Sequence, residues 1–87
     1  MSKAQVIVYS RPGCHLCDEA KDAIRMADCA EWLTLEEINI ESSRDLLLKY
    51  QFDIPVITID GVEAFRHRVD SEKFRQMILA ARGCQSG

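Results

Sequence analysis

Val6-Ile7-Val8-Tyr9-Ser10-Arg11-Pro12-Gly13-Cys14-His15-Leu16-Cys17 passes from an apolar, β-branched run through a Pro-Gly turn signal into two cysteines at positions i and i+3. Val6 to Tyr9 carries no polar alternation, which suits a central strand covered on both faces. From Leu16 the apolar residues Leu16, Ala20, Ala23, Ile24 and Ala27 recur at spacings of three and four with charges between them, so an amphipathic helix is expected to about Trp32. The stretch is therefore a strand, a tight turn and a helix, with the cysteine pair at the junction.

Working outward, Thr34 to Ile40 mixes Leu35, Ile38 and Ile40 with Glu36, Glu37 and Asn39, the composition of an edge strand. Ser42 followed by Asp45 resembles a capping box and opens a short helix through Leu46, Leu47 and Tyr50. Val56-Ile57-Thr58-Ile59, the turn dipeptide Asp60-Gly61 and the segment from Val62 to about His67 form a hairpin whose second strand is an edge. Asp70 or Ser71 caps a last helix, with Phe74, Met77, Ile78 and Ala81 on one face and Arg82-Gly83 as its stop. The order is β-α-β-α-β-β-α. A right-handed crossover makes strands one and two parallel neighbours, and the hairpin makes three and four antiparallel. With the most apolar strands inside, this gives an α/β fold with a four-stranded mixed sheet in order 2-1-3-4 and helices on both faces. Residues 1–83 are expected to form one domain, and 84–87 a flexible C-terminal tail.

The 87 residues, 47% of them hydrophobic, suffice for one core and not for two. A net charge of −3 gives no footprint for gripping nucleic acid. The apolar runs fall far short of the roughly 18 residues of a membrane span. No signal-peptide h-region stands at the N-terminus, so a cytoplasmic location is expected, and in a reducing compartment a close cysteine pair does chemistry or binds metal rather than stapling the fold.

The spacing of Cys14 and Cys17 brings their Cα atoms to roughly 5 to 6 Å in a helical turn, within disulfide range. At the helix N-terminus, unpaired N–H groups and the helix dipole favour a thiolate at Cys14, the expected nucleophile. Cys17, one turn inside, is expected to be shielded and to act as the resolving thiol. His15 and Arg11 are candidates to stabilise the thiolate further; His15 reads equally well as an exposed turn residue, and Asp18 and Glu19 as first-turn complements to the dipole. Two rival readings of the pair stay open, spectator cysteines in a helix and a structural zinc site, the latter lacking a second ligand pair in the sequence. Cys29 and Cys84 are expected to be spectators.

These features resemble the glutaredoxin-like members of the thioredoxin-fold superfamily over nearly the whole chain. The CxxC at Cys14 and Cys17, Ile54-Pro55-Val56 in place of threonine-valine-proline, and Arg11 where a lysine often stands carry the resemblance. It implies a cis Pro55 against the nucleophile, with the backbone of Ile54 free to pair with an extended substrate. It also implies a thiol-disulfide oxidoreductase that needs no cofactor and no metal. The expected partners are a protein or small-molecule disulfide as substrate and glutathione or a thioredoxin-type protein as reductant, with no nucleic acid and no membrane. Its rivals are a binding module or redox switch without turnover, and a glutathione-bridged iron-sulfur carrier.

The chain departs from the family pattern in having His15-Leu16 between the cysteines and Arg66-His67-Arg68-Val69-Asp70-Ser71 where glutathione users have Gly-Gly and a following Asp. This implies weak glutathione binding. The candidate site residues are Cys14 and Cys17 for catalysis and Arg11, Ile54, Pro55, Asp70 and Ser71 for substrate binding.

Overall fold

A computed structural model describes residues 3–83 of the chain. Cys84 and the rest of the expected tail lie outside the described residues. Strand β1 (Ala4–Ser10) leads into helix α1 (His15–Met26), followed by a single 3₁₀ turn, Ala30–Trp32, and strand β2 (Leu33–Asn39). A second 3₁₀ turn, Ile40–Ser42, precedes helix α2 (Arg44–Tyr50), strands β3 (Val56–Ile59) and β4 (Val62–Arg66), and helix α3 (Ser71–Gly83). The sheet order is β2-β1-β3-β4, as the strand character implied. β1 runs parallel to β2 and antiparallel to β3, which runs antiparallel to β4.

Alternation along β1 divides the core. Ala4, Val6, Val8 and Ser10 are buried, and the valines pack with Ile57 and Ile59 of β3 against Ala20 and Ile24 of α1 and Phe74 and Ile78 of α3. Tyr9 and Val56 point the other way and pack with Ile40, Leu46, Leu47 and Tyr50 under α2. Both layers thus rest on β1 and β3, the two strands without polar alternation. Asp60 and Gly61, with φ of 52° and 85°, make the hairpin turn between β3 and β4. The Asp60 carboxylate accepts from the Gln5 N–H at 2.8 Å, and the Asp60 N–H donates to the Gln5 carbonyl at 2.8 Å, tying the hairpin to the start of β1.

Two expectations need correction. The first helix stops at Met26, not near Trp32, because Asp28 takes a left-handed φ of 54° and turns the chain before the 3₁₀ turn. Apolar periodicity continues through Ala27, and no glycine or proline marks this break. The capping box at Ser42 does not form either. Ser42 lies in the 3₁₀ turn and its hydroxyl donates to the Asn39 carbonyl at 2.6 Å, so Ser43 becomes the residue preceding α2. Within α3, Phe74 and Ile78 are fully buried and Ala81 packs against the core, while Met77 sits at the margin, 36% exposed. Among the described residues, no helix is long and apolar enough to cross a membrane.

The sheet's dependence on α3 gives a direct expectation. Phe74→Ala should cost about 3–5 kcal/mol, since the side chain is fully buried, and Val62→Ala on the exposed hairpin less than about 0.5 kcal/mol. Urea denaturation checks this; similar losses in the two variants would contradict the packing described.

Candidate active site

Arg11 to Cys14 form the turn that carries the chain from β1 into α1. Pro12 fixes one corner, Gly13 supplies a φ of 77° that a side chain would strain, and the Cys14 N–H donates to the Arg11 carbonyl at 3.3 Å. Cys14 is then the N-cap of α1, with an extended backbone, and its Sγ accepts from the Cys17 N–H at 3.1 Å. Cys14 and Cys17 form a disulfide with Cα atoms 5.2 Å apart. The two sulfurs differ in environment: Cys14 is half-buried and Cys17 is buried. Solvent thus reaches Cys14 and is largely excluded from Cys17.

A cleft of about 320 Å³ opens beside the disulfide, lined by both cysteines and by Arg11, Asp18, Lys21 and Glu37 among others. Lys21 donates to the Glu37 carboxylate at 3.0 Å and lies 3.6 Å from Asp18. The same Glu37 oxygen accepts from the buried Ser10 hydroxyl at 2.7 Å. The Ser10 hydrogen bond and then the Lys21 ammonium hold the Glu37 carboxyl below its ordinary range, and the Glu37 hydrogen bond holds Lys21 above its own. Sequence reading missed Ser10, Lys21 and Glu37. Lys21 lies at i+4 from Cys17, on the same helix face, but only the parallel register, Val8 with Glu37 and Ser10 with Asn39, carries Glu37 to the cysteine end of the sheet.

The expected site residues separate into groups. Arg11 shares the cleft with the cysteines, and its guanidinium lies 3.4 Å from Glu41. His15 is 87% exposed and lies 3.2 Å from Glu19 one turn on, so it faces solvent as the first residue of α1. The Ile54–Pro55 peptide is cis. Pro55 is fully buried, and the β1–β3 register, whose last pair is Tyr9 with Val56, carries it level with Ser10 one residue on. Among the described residues, neither the N–H nor the C=O of Ile54 pairs with another main-chain group. Asp70 caps α3, its carboxylate accepting from the N–H groups of Glu72 and Lys73 at 3.0 and 3.1 Å. The Ser71 hydroxyl donates to the Ala23 carbonyl at 2.8 Å.

Ser71 and Arg68 line a separate cleft with Leu16, on the other side of α1. Arg66 is held by Glu63 and, at 3.1 Å, by Asp53. Among the described residues, no group of three or more His, Cys, Asp or Glu side chains gathers as a metal site would require.

The mixed sheet in this order, with a CxxC pair at the start of the first helix and a cis proline at the end of the neighbouring strand, defines a thioredoxin-like fold. Chloroplastic thioredoxin z shares it at a TM-score of 0.72 and 12% identity, over 93% of this chain and 80% of that one. A family model described as Glutaredoxin-like domain (DUF836) matches residues 5–79, and the chain belongs to that family. Over 71 residues it is 38% identical to the Glutaredoxin-like protein YDR286C homolog of Dictyostelium discoideum, an alignment covering 75% of this chain and 66% of that protein. The chain thus spans just under two thirds of that relative's length. The solution structure of protein Ne2328 from Nitrosomonas europaea superposes with a TM-score of 0.72 at 28% identity, over 94% of this chain and 93% of that one. The CxxC cysteines on this fold give the chain an oxidoreductase-like capacity.

Two measurements check the site's electrostatics. Because Glu37 sits below its ordinary value of 4.5, it contributes stability above that pH which is lost as pH falls through the lowered folded value. Its side chain is 46% exposed, so screening keeps the contribution small. Glu37→Gln should lower stability slightly near neutrality and flatten the acid limb, so that the two stability-against-pH curves converge in acid; an equally steep acid limb would contradict the assignment. Cys29 is fully buried, and desolvation raises its thiol pKa. A thiol reagent added to the reduced native protein should therefore label Cys29 only on unfolding; labelling as fast as that of Cys14 would contradict its burial.

Proposed function

We propose that this protein is a thiol-disulfide oxidoreductase that reduces or exchanges disulfides through Cys14 and Cys17. The observation that carries the reading is the disulfide at the N-terminus of α1, with Cys14 half-buried and Cys17 buried. In the reduced protein the Cys14 thiolate attacks one sulfur of a substrate disulfide, forming a mixed disulfide and expelling the other sulfur as a thiolate. Cys17 then attacks the Cys14 sulfur, loses its proton and releases the second substrate thiolate. The substrate gains two electrons, and the Cys14–Cys17 disulfide records their loss. A dithiol or two molecules of a monothiol restore the pair, so no resident cofactor is required.

The substrate side of the reading rests on Ile54 and Arg11. The unpaired main-chain groups of Ile54, at the end of the sheet that leads to Cys14, offer an extended peptide one residue of strand-like pairing. Arg11 adds a cation to the rim of the cleft. Asp70 and Ser71 are already engaged in holding α3, and Arg66 in ion pairs, which leaves Arg68 as the charged group there to grip a small anionic tripeptide. A protein disulfide fits this surface better than glutathione, and a thioredoxin-type donor in the cytoplasm suits the pair as reductant.

The test is turnover of a model protein disulfide by wild type and two variants. Cys14→Ser should lose all activity, whereas Cys17→Ser should stall with one substrate held covalently on Cys14, visible by intact mass. Full activity in Cys14→Ser, or no turnover by the wild type with either reductant, would overturn the reading. Glutathione should fail to saturate the rate in the micromolar range; saturation there would show that the residues from Arg66 to Ser71 bind it after all.

A further inference from the structure

The loop between α2 and β3 is fastened on both sides of Ile54. Before it, the Asp53 N–H donates to the Tyr50 carbonyl at 2.8 Å, and the Asp53 carboxylate pairs with Arg66 at 3.1 Å. After it, the Pro55 carbonyl accepts from the His67 N–H at 2.8 Å. Arg66 and His67 stand at the end of β4, where the β3–β4 register sets Arg66 opposite Val56. His67 takes a left-handed φ of 68°, and the Arg68 N–H closes a three-residue turn on the Arg66 carbonyl at 2.7 Å. At that turn β4 delivers a side chain, from Arg66, and a main-chain donor, from His67, to the same loop. Glu63 holds the Arg66 guanidinium through Nε and Nη2, and Nη1 is turned to Asp53. The Ile54 side chain packs against the cluster of Ile40, Tyr50 and Val56, while its N–H and C=O have no main-chain partner among the described residues.

Resting on the oxidoreductase reading, we infer that Arg66, through its ion pair with Asp53, is a positioning residue that holds the main chain of Ile54 ready for an extended protein substrate. The chemistry at sulfur does not involve the pair; Arg66 acts through Asp53 and the loop. The two side chains are 47% and 31% exposed, and an ion pair so placed adds little to global stability. It can still narrow the conformations of one short loop. A hydrogen-bonded antiparallel pair exchanges both the N–H and the C=O of one residue with one residue of the partner, so both groups of Ile54 must point outward together. Whatever fraction of the time the loop spends elsewhere is lost from the affinity for such a partner. A small disulfide with no main chain makes no such demand. The pair therefore favours protein disulfides in extended segments over small ones.

The test mixes the whole reduced chain with a model protein disulfide, or with 2-hydroxyethyl disulfide, over a range of concentrations. Wild type is compared with Arg66→Ala, Asp53→Asn and the double variant. Exposed pairs shift equilibria by about 5-fold at most, so each single variant should raise the half-saturating concentration of the protein disulfide by roughly 2- to 5-fold and leave the maximal rate unchanged. The two substitutions change the net charge in opposite directions, so a common loss identifies the pair and not the charge. The double variant should be no worse than either single one, because all three break the same contact. Reaction with 2-hydroxyethyl disulfide, alkylation of Cys14 and the urea midpoint should stay near wild type. NMR order parameters of Phe52, Asp53 and Ile54 should fall in the variants while those of β3 hold. Wild-type saturation by the protein disulfide in both single variants, or equal losses with the protein and the small disulfide, would overturn the positioning role and leave the oxidoreductase reading intact. A wild type that reduces neither disulfide would overturn both.

Discussion

The Cys17 N–H donates to the sulfur of Cys14 at 3.1 Å, and the arrangement of the site follows from that bond. It fixes Cys14 as the cap of α1, where unpaired N–H groups and the helix dipole favour negative charge on sulfur. It also sets the phase of the helix. Starting α1 at Cys14 puts Cys17, Ala20 and Ile24 against the sheet, and Asp18 and Lys21 along the cleft. A shift of one residue would rotate every side chain by about 100° and turn the second cysteine out of the core.

The helix that carries this cap is fastened along its length. Lys21 bonds Glu37 on β2, the Ser71 hydroxyl bonds the Ala23 carbonyl, and Arg75 donates to the Ala27 carbonyl at 3.1 Å. The Ala27 carbonyl lies at the C-terminal end, where the helix leaves carbonyls unpaired, whereas the Ala23 carbonyl, which already accepts from the Ala27 N–H at 3.1 Å, takes the Ser71 hydroxyl as a second donor. Arg75 also lies over the Trp32 ring at 5.4 Å, so one side chain ties α3 to the end of α1 and to the 3₁₀ turn after it. The cysteines consequently sit on a platform braced by both neighbouring layers.

Much of this was legible in the sequence because it rests on local signals. Unbroken β-branched runs marked β1 and β3, Asp60-Gly61 marked the hairpin, and Pro12-Gly13 before CxxC marked the strand-to-helix junction. The end of α1 was not legible, since Asp28 adopts its left-handed conformation without the glycine that usually announces one. Ser42 misled for a related reason: serine bonds backbone in several local patterns, and here it closes a 3₁₀ turn instead of opening a helix. The Ser10–Glu37–Lys21 cluster was invisible because it joins three elements through strand register. Read alone, Glu37 is only one of several acidic residues on an edge strand.

The asymmetry of the two sulfurs is the centre of this account, and alkylation of the reduced protein measures it most directly. Rates at each cysteine, followed by mass spectrometry of peptides over a pH series, give the ionisation of each thiol. The account predicts that Cys14 reacts first at every pH below the free-thiol value of about 8.5, with a midpoint below it, and that Cys17 reacts slowly with a midpoint at or above it. Equal rates at the two positions, or faster reaction at Cys17 near neutrality, would contradict it.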